Sequence, residues 1–101
     1  MKDRIQYEQG EAFIARRIAG EAVLVPVGSG SLNGMVTFNE TGNFLWQKLL
    51  EGSTAEELTD ALCETFDVSE SDARKDIARF LELCLREGML RPRSNEMQEH
   101  I

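Results

Sequence analysis

The most constraining feature of this sequence is a change of periodicity next to Asn39. Apolar residues alternate in the short stretch that ends at Phe38, as in a half-buried strand, and from Phe44 onward they recur at helical spacing. Asn39 is suited to cap a helix, because its side-chain oxygen can accept a hydrogen bond from a first-turn N–H group. Gly52 can adopt the left-handed conformation that ends many helices. The sequence therefore predicts a strand that leads directly into a helix carrying the only Trp, Trp46.

The residues before this point have the pattern of a β-hairpin. Residues 13–18 and 22–27 are rich in apolar and β-branched side chains, and Gly20 lies between them at a position suited to a tight turn. A Gly-rich loop follows, which lacks the Lys-Ser/Thr of a P-loop and indicates a connection rather than a phosphate site. Residues 35–38 then form the third predicted strand.

Two more helices are predicted after Gly52. Ser53 with Glu56 and Thr54 with Glu57 both fit a capping box at the start of the second helix. The third helix is longer, and either Ser69 or Ser71 caps it. Gly88 is placed to end it. Its predicted buried stripe has three- and four-residue spacing and consists of Ala73, Ile77, Phe80, Leu81 and Cys84.

Three strands followed by three helices predict one α+β domain, a three-stranded antiparallel sheet followed by three helices, with the outline of a winged helix-turn-helix. We expect residues 1–12 to form a flexible N-terminal segment, residues 13–93 the folded domain and residues 94–101 a polar C-terminal tail. Trp46, Leu62 and Phe80 are expected to share the core.

Charge and composition argue against several classes of function. The formal net charge is -7, whereas non-specific binding to nucleic acid or to an anionic membrane needs a positive face. No apolar run approaches the ~20 residues of a membrane span, and the N-terminus has no signal peptide, so we expect a cytoplasmic protein. Cys63, Cys84 and His100 have no metal-ligand spacing. We therefore expect no metal, no cofactor and no catalytic site.

A sheet of three strands has two edges, and an edge strand beside an amphipathic helix is suited to bind an extended peptide as an additional strand. This peptide-binding hypothesis has two alternatives. A winged-helix nucleic-acid binder is suggested by the fold outline and by basic residues of the third helix, although acidic residues alternate with them. An enzyme would require a site that the sequence does not show.

The chain also resembles the PqqD family, small proteins that contain the peptide-recognition element of pathways for ribosomally synthesised, post-translationally modified peptides. The family usually has Leu-Asn-Glu-Thr where this chain has Phe38-Asn39-Glu40-Thr41. The similarity covers most of the chain, from about Phe13 to Leu90. It is carried by Phe38-Asn39-Glu40-Thr41-Gly42, Leu45-Trp46, Leu49-Leu50-Glu51-Gly52, Thr54-Ala55-Glu56-Glu57-Leu58, Phe66-Asp67-Val68, Asp76-Ile77, Phe80-Leu81 and Leu85 to Leu90 with Gly88.

This resemblance implies a non-catalytic peptide chaperone. Members of the family bind the leader region of a precursor peptide and present the peptide to a modifying enzyme, often a radical SAM protein. The leader is added next to the third strand, in a groove walled by the third helix. The implied peptide-binding residues are Gly34, Met35, Val36, Thr37 and Phe38 of the strand and Arg74, Ala78, Leu81 and Leu85 of the helix.

Overall fold

A computed structural model describes residues 5–27 and 34–93. Its elements in chain order are β1 (Tyr7–Gln9), β2 (Phe13–Ile18), β3 (Glu21–Pro26), β4 (Val36–Thr37), α1 (Glu40–Leu50), α2 (Ala55–Phe66), α3 (Glu70–Arg86) and β5 (Leu90–Pro92). β2, β3 and β4 form an antiparallel sheet in that order, and β1 pairs with β5 in a separate ribbon. The predicted α+β class, with three strands followed by three helices, is confirmed.

The β2–β3 hairpin closes through a two-residue turn. Ile18 lies opposite Glu21, and the two residues between them, Ala19 and Gly20, have φ angles of 55° and 83°. Two consecutive positive φ angles define the type I′ turn, whose twist matches that of the strands it joins. The predicted role of Gly20 is confirmed, and the turn fixes the register of the hairpin.

Local capping signals set the starts of the helices. Asn39 Oδ1 accepts a hydrogen bond from the Gly42 N–H at 2.8 Å. At α2 the capping box is formed by Thr54 and Glu57, so the structure selects the second of the two predicted pairs. Ser69, one of the two predicted caps of α3, accepts from the N–H group of Asp72. These bonds satisfy first-turn donors that a helix leaves unpaired.

The core lies between the sheet and the three helices. Trp46 and Leu62 are 2% and 1% exposed, and Phe80 packs against the same cluster while it remains half-buried. The predicted stripe of α3 faces this core, with Ala73, Ile77 and Cys84 almost completely buried. Trp46 and Leu62 share the core as predicted, whereas Phe80, which was predicted to be buried with them, packs against this core and stays half-buried.

The β1–β5 ribbon was not anticipated from the sequence, where β1 lay within the segment predicted to be flexible, residues 1–12. Tyr7 is 6% exposed and belongs to the core cluster. Arg91 of β5 donates to Glu8 of β1 at 2.7 Å. Gly10 then passes so close to Gly88 that a Cβ would lie 2.1 Å from the Gly88 oxygen. The predicted tail, residues 94–101, lies outside the described residues.

Candidate functional site

The site starts from β4, an edge strand whose outward backbone groups follow from the hairpin register. Ile18 and Glu21 flank a two-residue turn and are therefore a hydrogen-bonded pair, and alternate pairs along the hairpin repeat that pattern. The bond from Val27 N–H to Ala12 O, at 2.9 Å, continues this series, because Ala12 and Val27 are the next hydrogen-bonded pair.

The same alternation fixes the direction of the backbone groups in the next strand pair. Leu24 consequently points its backbone groups away from β2 and toward Val36, its partner in β4. Thr37, the next residue, points its N–H and C=O groups away from β3. These two groups face the open edge of the sheet.

Asn43 ends the β3–β4 ladder. Its Oδ1 accepts from the Ala22 N–H at 2.7 Å, and its Nδ2 donates to the Phe38 C=O at 3.0 Å. These are the backbone groups that one more rung of the ladder would join, and the side-chain amide bridges them instead. This bridge explains why β4 is shorter than the predicted strand of residues 35–38.

The predicted strand residues Gly34 to Phe38 range from half-buried to exposed. Gly34 lies against the ring of Pro26, where a Cβ would be 2.8 Å from Cγ. Met35 is 47% exposed, Val36 packs on the core and Thr37 is exposed. A bound strand would therefore have apolar and hydroxyl side chains beside it.

Phe38 connects this edge to α3. Its ring stacks on Trp46 with centroids 5.5 Å apart and lies 5.6 Å from the ring of Phe80. Trp46 is a buried residue of α1, and Phe80 is a half-buried residue of α3. Phe38 is therefore the point at which the edge strand, α1 and α3 meet.

The predicted helix residues lie mostly on the side of α3 that faces α2. Arg74, Ala78 and Leu81 line a cavity of about 280 Å³. Its other lining residues are Ala55, Glu56 and Thr59 of α2 and Ile77 of α3, so no β4 residue takes part. Leu81 is 8% exposed and belongs to the core cluster, whereas Leu85 is 37% exposed. The role of these helix residues in peptide binding stays a prediction.

Arg74 has one acidic partner on α3 and one on α2. It forms a hydrogen-bonded ion pair with Glu70 and approaches Glu56 Oε2 to 4.0 Å. The hydrogen bond with Glu70, followed by the charge of that carboxylate, raises the pKa of Arg74. The guanidinium of Arg74, which lines the cavity, is therefore paired with a carboxylate on each helix.

A larger cavity, of about 550 Å³, lies between the start of α1 and the opposite side of α3. Phe80 belongs both to its lining and to the aromatic group with Phe38. This cavity was not predicted from the sequence. The only signal was Leu83, an apolar residue off the buried stripe that is 42% exposed. Its lining consists of Asn39, Thr41, Gly42, Leu45, Asp76, Arg79, Phe80, Glu82, Leu83 and Arg86.

The side chains described show no metal-binding or membrane-spanning feature. Residues 5–27 and 34–93 contain no group of three or more His, Cys, Asp or Glu side chains arranged to hold a metal ion. Within those ranges, no helix has the length and apolar character needed to cross a membrane. Burial raises the pKa of Cys84 to about 12, which keeps this thiol protonated.

An exposed edge strand that leads into a capped helix and lies beside α3 defines a class of small α+β domain suited to binding an extended peptide. Residues 21–90 match the sequence profile of the family described as Coenzyme PQQ synthesis protein D (PqqD). The chain belongs to this family. No curated protein sequence matches it.

Two solved structures have the same fold. One is described as TbiB1 in complex with the TbiA(beta) leader peptide. It is 24% identical, with a TM-score of 0.73 over 87% of this chain and 99% of that chain. The other is lasso peptide synthetase B1 complexed with the leader peptide, 23% identical, with a TM-score of 0.74 over 86% of this chain and 99% of that chain.

Proposed function

We propose that this protein is a non-catalytic adaptor that binds the leader region of a ribosomally made precursor peptide and presents it to a modifying enzyme. The observation that carries the proposal is the pair of outward backbone groups of Thr37, next to the Phe38–Phe80 contact. Membership of the PqqD family supports it, as does the fold shared with two proteins that were solved with leader peptides.

The leader is expected to add as a strand along Gly34, Met35, Val36, Thr37 and Phe38. Main-chain hydrogen bonds would supply affinity that does not depend on sequence, and alternate side chains would contact α3 and supply specificity. On α3 the proposed wall is Arg74, Ala78, Leu81 and Leu85. A radical SAM maturase is the proposed receiving enzyme, and both proteins are expected to act in the cytoplasm.

The basic residues of α3 do not favour the nucleic-acid alternative. Three of the four basic residues of α3, Arg74, Arg79 and Arg86, each lie within 4.0 Å of an acidic side chain, and the chain has a net charge of -7. A nucleic-acid surface requires cations that are free to neutralise phosphates.

The first test is Thr37→Pro, which removes the outward N–H group and keeps the β3–β4 hydrogen bonds, because those are made by Val36. Loss of one hydrogen bond is worth ~1 kcal/mol, and the ring also obstructs the approaching strand, so we expect leader affinity to fall about tenfold. Titration calorimetry with a synthetic leader peptide of the precursor measures the change.

Thr37→Val is the matched control, since it keeps the N–H group and the branched side chain, and its affinity should stay within about twofold of wild type. Equal affinity of the Pro and Val variants, both folded, would exclude β4 as the docking strand.

Two charge substitutions distinguish the sides of α3. Ala78 and Leu83 are both exposed, the first beside the α2–α3 cavity and the second in the α1–α3 cavity. Ala78→Glu is expected to weaken leader binding and Leu83→Glu to leave it unchanged. The reverse result would place the peptide-binding residues of α3 on the side that faces α1.

A further inference from the structure

The opposite edge of the sheet also has unpaired backbone groups. β2 is six residues long, and its even-numbered residues bond to β3, so the N–H and C=O groups of Phe13, Ala15 and Arg17 point away from the sheet. The Phe13 C=O already accepts from Gln9 Nε2 at 2.9 Å, which agrees with this direction. Among residues 5–27 and 34–93, nothing occupies the outward backbone groups of Ala15 and Arg17.

A cavity of about 370 Å³ lies beside this edge, between β2 and α1. Four apolar side chains line it: Ala15, Ala22, Trp46 and Leu50. Side chains of a strand alternate between its two faces, so a strand added to β2 would direct every second side chain into this cavity. The cavity has room for small or medium apolar side chains.

The charge of the edge is opposite to that of the whole chain. Arg16 and Arg17 line the cavity, and within the described part of the chain neither forms an ion pair, although Arg17 donates to the Gly20 C=O. The acidic residue of the lining, Glu51, already contacts Lys48 and Gln47. In a chain with a net charge of -7, this edge is a local positive surface.

We propose that β2 is a second strand-docking site and that it binds an extended segment of the modifying enzyme, in which apolar side chains alternate with acidic ones. The apolar side chains would enter the α1 cavity, and the acidic ones, which lie on the opposite face, would pair with Arg16. The identity of the partner rests on the proposed adaptor function. The docking geometry does not, because β2 and β4 are separate edges.

A second copy of this chain fits the edge less well. Self-pairing of β2 about Arg16 or Arg17 would place like charges opposite each other, and two copies would each bring a net charge of -7. Simultaneous use of both edges is geometrically permitted. Since neighbouring strands lie about 4.8 Å apart, segments bound to β2 and β4 would be about 19 Å apart.

Ala15→Pro tests the site, because it removes an outward N–H group without removing a β2–β3 hydrogen bond. The probe is the purified enzyme that modifies the precursor, immobilised for surface plasmon resonance. Ala15→Pro and Arg16→Glu are each expected to lower enzyme affinity about tenfold or more, whereas Ala15→Ser keeps it within about twofold of wild type. Leader affinity should be unchanged in all three variants, and Thr37→Pro should show the reverse selectivity.

The outcomes separate the two proposals. Wild-type enzyme affinity in folded Ala15→Pro and Arg16→Glu, with leader binding intact, would overturn the β2 site alone. Absence of leader binding by the wild-type chain would overturn the adaptor function. A fall in leader affinity in Ala15→Pro would assign β2 to the leader. A wild-type dimer in sedimentation that dissociates in Ala15→Pro would assign β2 to a second copy. Either assignment would overturn the proposed enzyme segment.

Discussion

Replacing Asn43 with Ala removes the side-chain amide that closes the β3–β4 ladder. The Ala22 N–H then loses its acceptor at 2.7 Å, and the Phe38 C=O loses its donor at 3.0 Å. Ala22 is 6% exposed, so water has little access to the N–H group left behind. The substitution thus leaves an unsatisfied donor in the core at the end of the proposed peptide-binding strand.

The expected cost is dominated by that donor. An unsatisfied buried polar group destabilises a protein by ~1–3 kcal/mol, whereas the half-buried Phe38 carbonyl can be partly rehydrated and adds less. Ala is a better helix former than Asn, and this offsets roughly 0.6 kcal/mol of the loss in stability. We therefore expect Asn43→Ala to lower the free energy of unfolding by about 2 kcal/mol, or the melting temperature by about 10 °C.

Urea denaturation followed by Trp46 fluorescence measures this change, because Trp46 is the only Trp, is 2% exposed and stacks on Phe38. Gln47→Ala is the matched control: it truncates another α1 amide, one that is exposed and donates to Glu51. A change below ~0.5 kcal/mol is typical of such a surface site.

If Asn43→Ala and Gln47→Ala have the same stability, the Asn43 bridge does not hold the strand. Asn43→Asp provides a second check, since it keeps an acceptor for Ala22 N–H but loses the donor to the Phe38 carbonyl. Its stability should fall below that of wild type, because its second carboxylate oxygen faces the Phe38 and Asn39 carbonyl oxygens that Nδ2 contacts.

Two further predictions concern regions away from the peptide edge. Burial raises the pKa of Cys84 from 9.0 to about 12, so the unfolded thiol ionises first, and its contribution to stability is intact below pH 9.0 and is lost as the pH rises toward 12. Between about pH 8 and pH 11, wild type should therefore lose more unfolding free energy than Cys84→Ala; equal losses would contradict the shift. Gly10→Ala places a Cβ 2.1 Å from the Gly88 oxygen. We expect it to cost ~1–3 kcal/mol in urea denaturation, and an unchanged midpoint would show that β1 is not held against the end of α3.

The sequence predicted the elements whose signals are local. The positive φ of Gly20, the Asn39 cap and the Thr54 capping box each depend on residues within one turn, and each recurs in the structure. The stripe of α3 was also predictable, since a helix buries residues at a fixed spacing. What periodicity does not give is which neighbour lies on each flank of that stripe. Consequently the α1–α3 cavity around Leu83 was missed.

Long-range features had no such signal. β1 and β5 have three residues each, which is too short for a periodic pattern. They also pair across most of the chain, so no local signal marks either strand. Asn43 lies within α1, where a polar residue is expected simply to face solvent. Its role as a substitute for a strand rung depends on the position of Ala22, which only the folded chain determines.

The β1–β5 ribbon brings distant parts of the chain together at one corner of the domain. Arg93 N–H donates to Gln6 O at 2.8 Å, so a chain that enters at Ile5 leaves at Arg93 only a few ångströms away. A domain with adjacent entry and exit points tolerates insertion into a loop of another protein and tolerates circular permutation. This one can therefore be transplanted between two segments of a larger enzyme without forcing them apart, with β2 and β4 both left accessible.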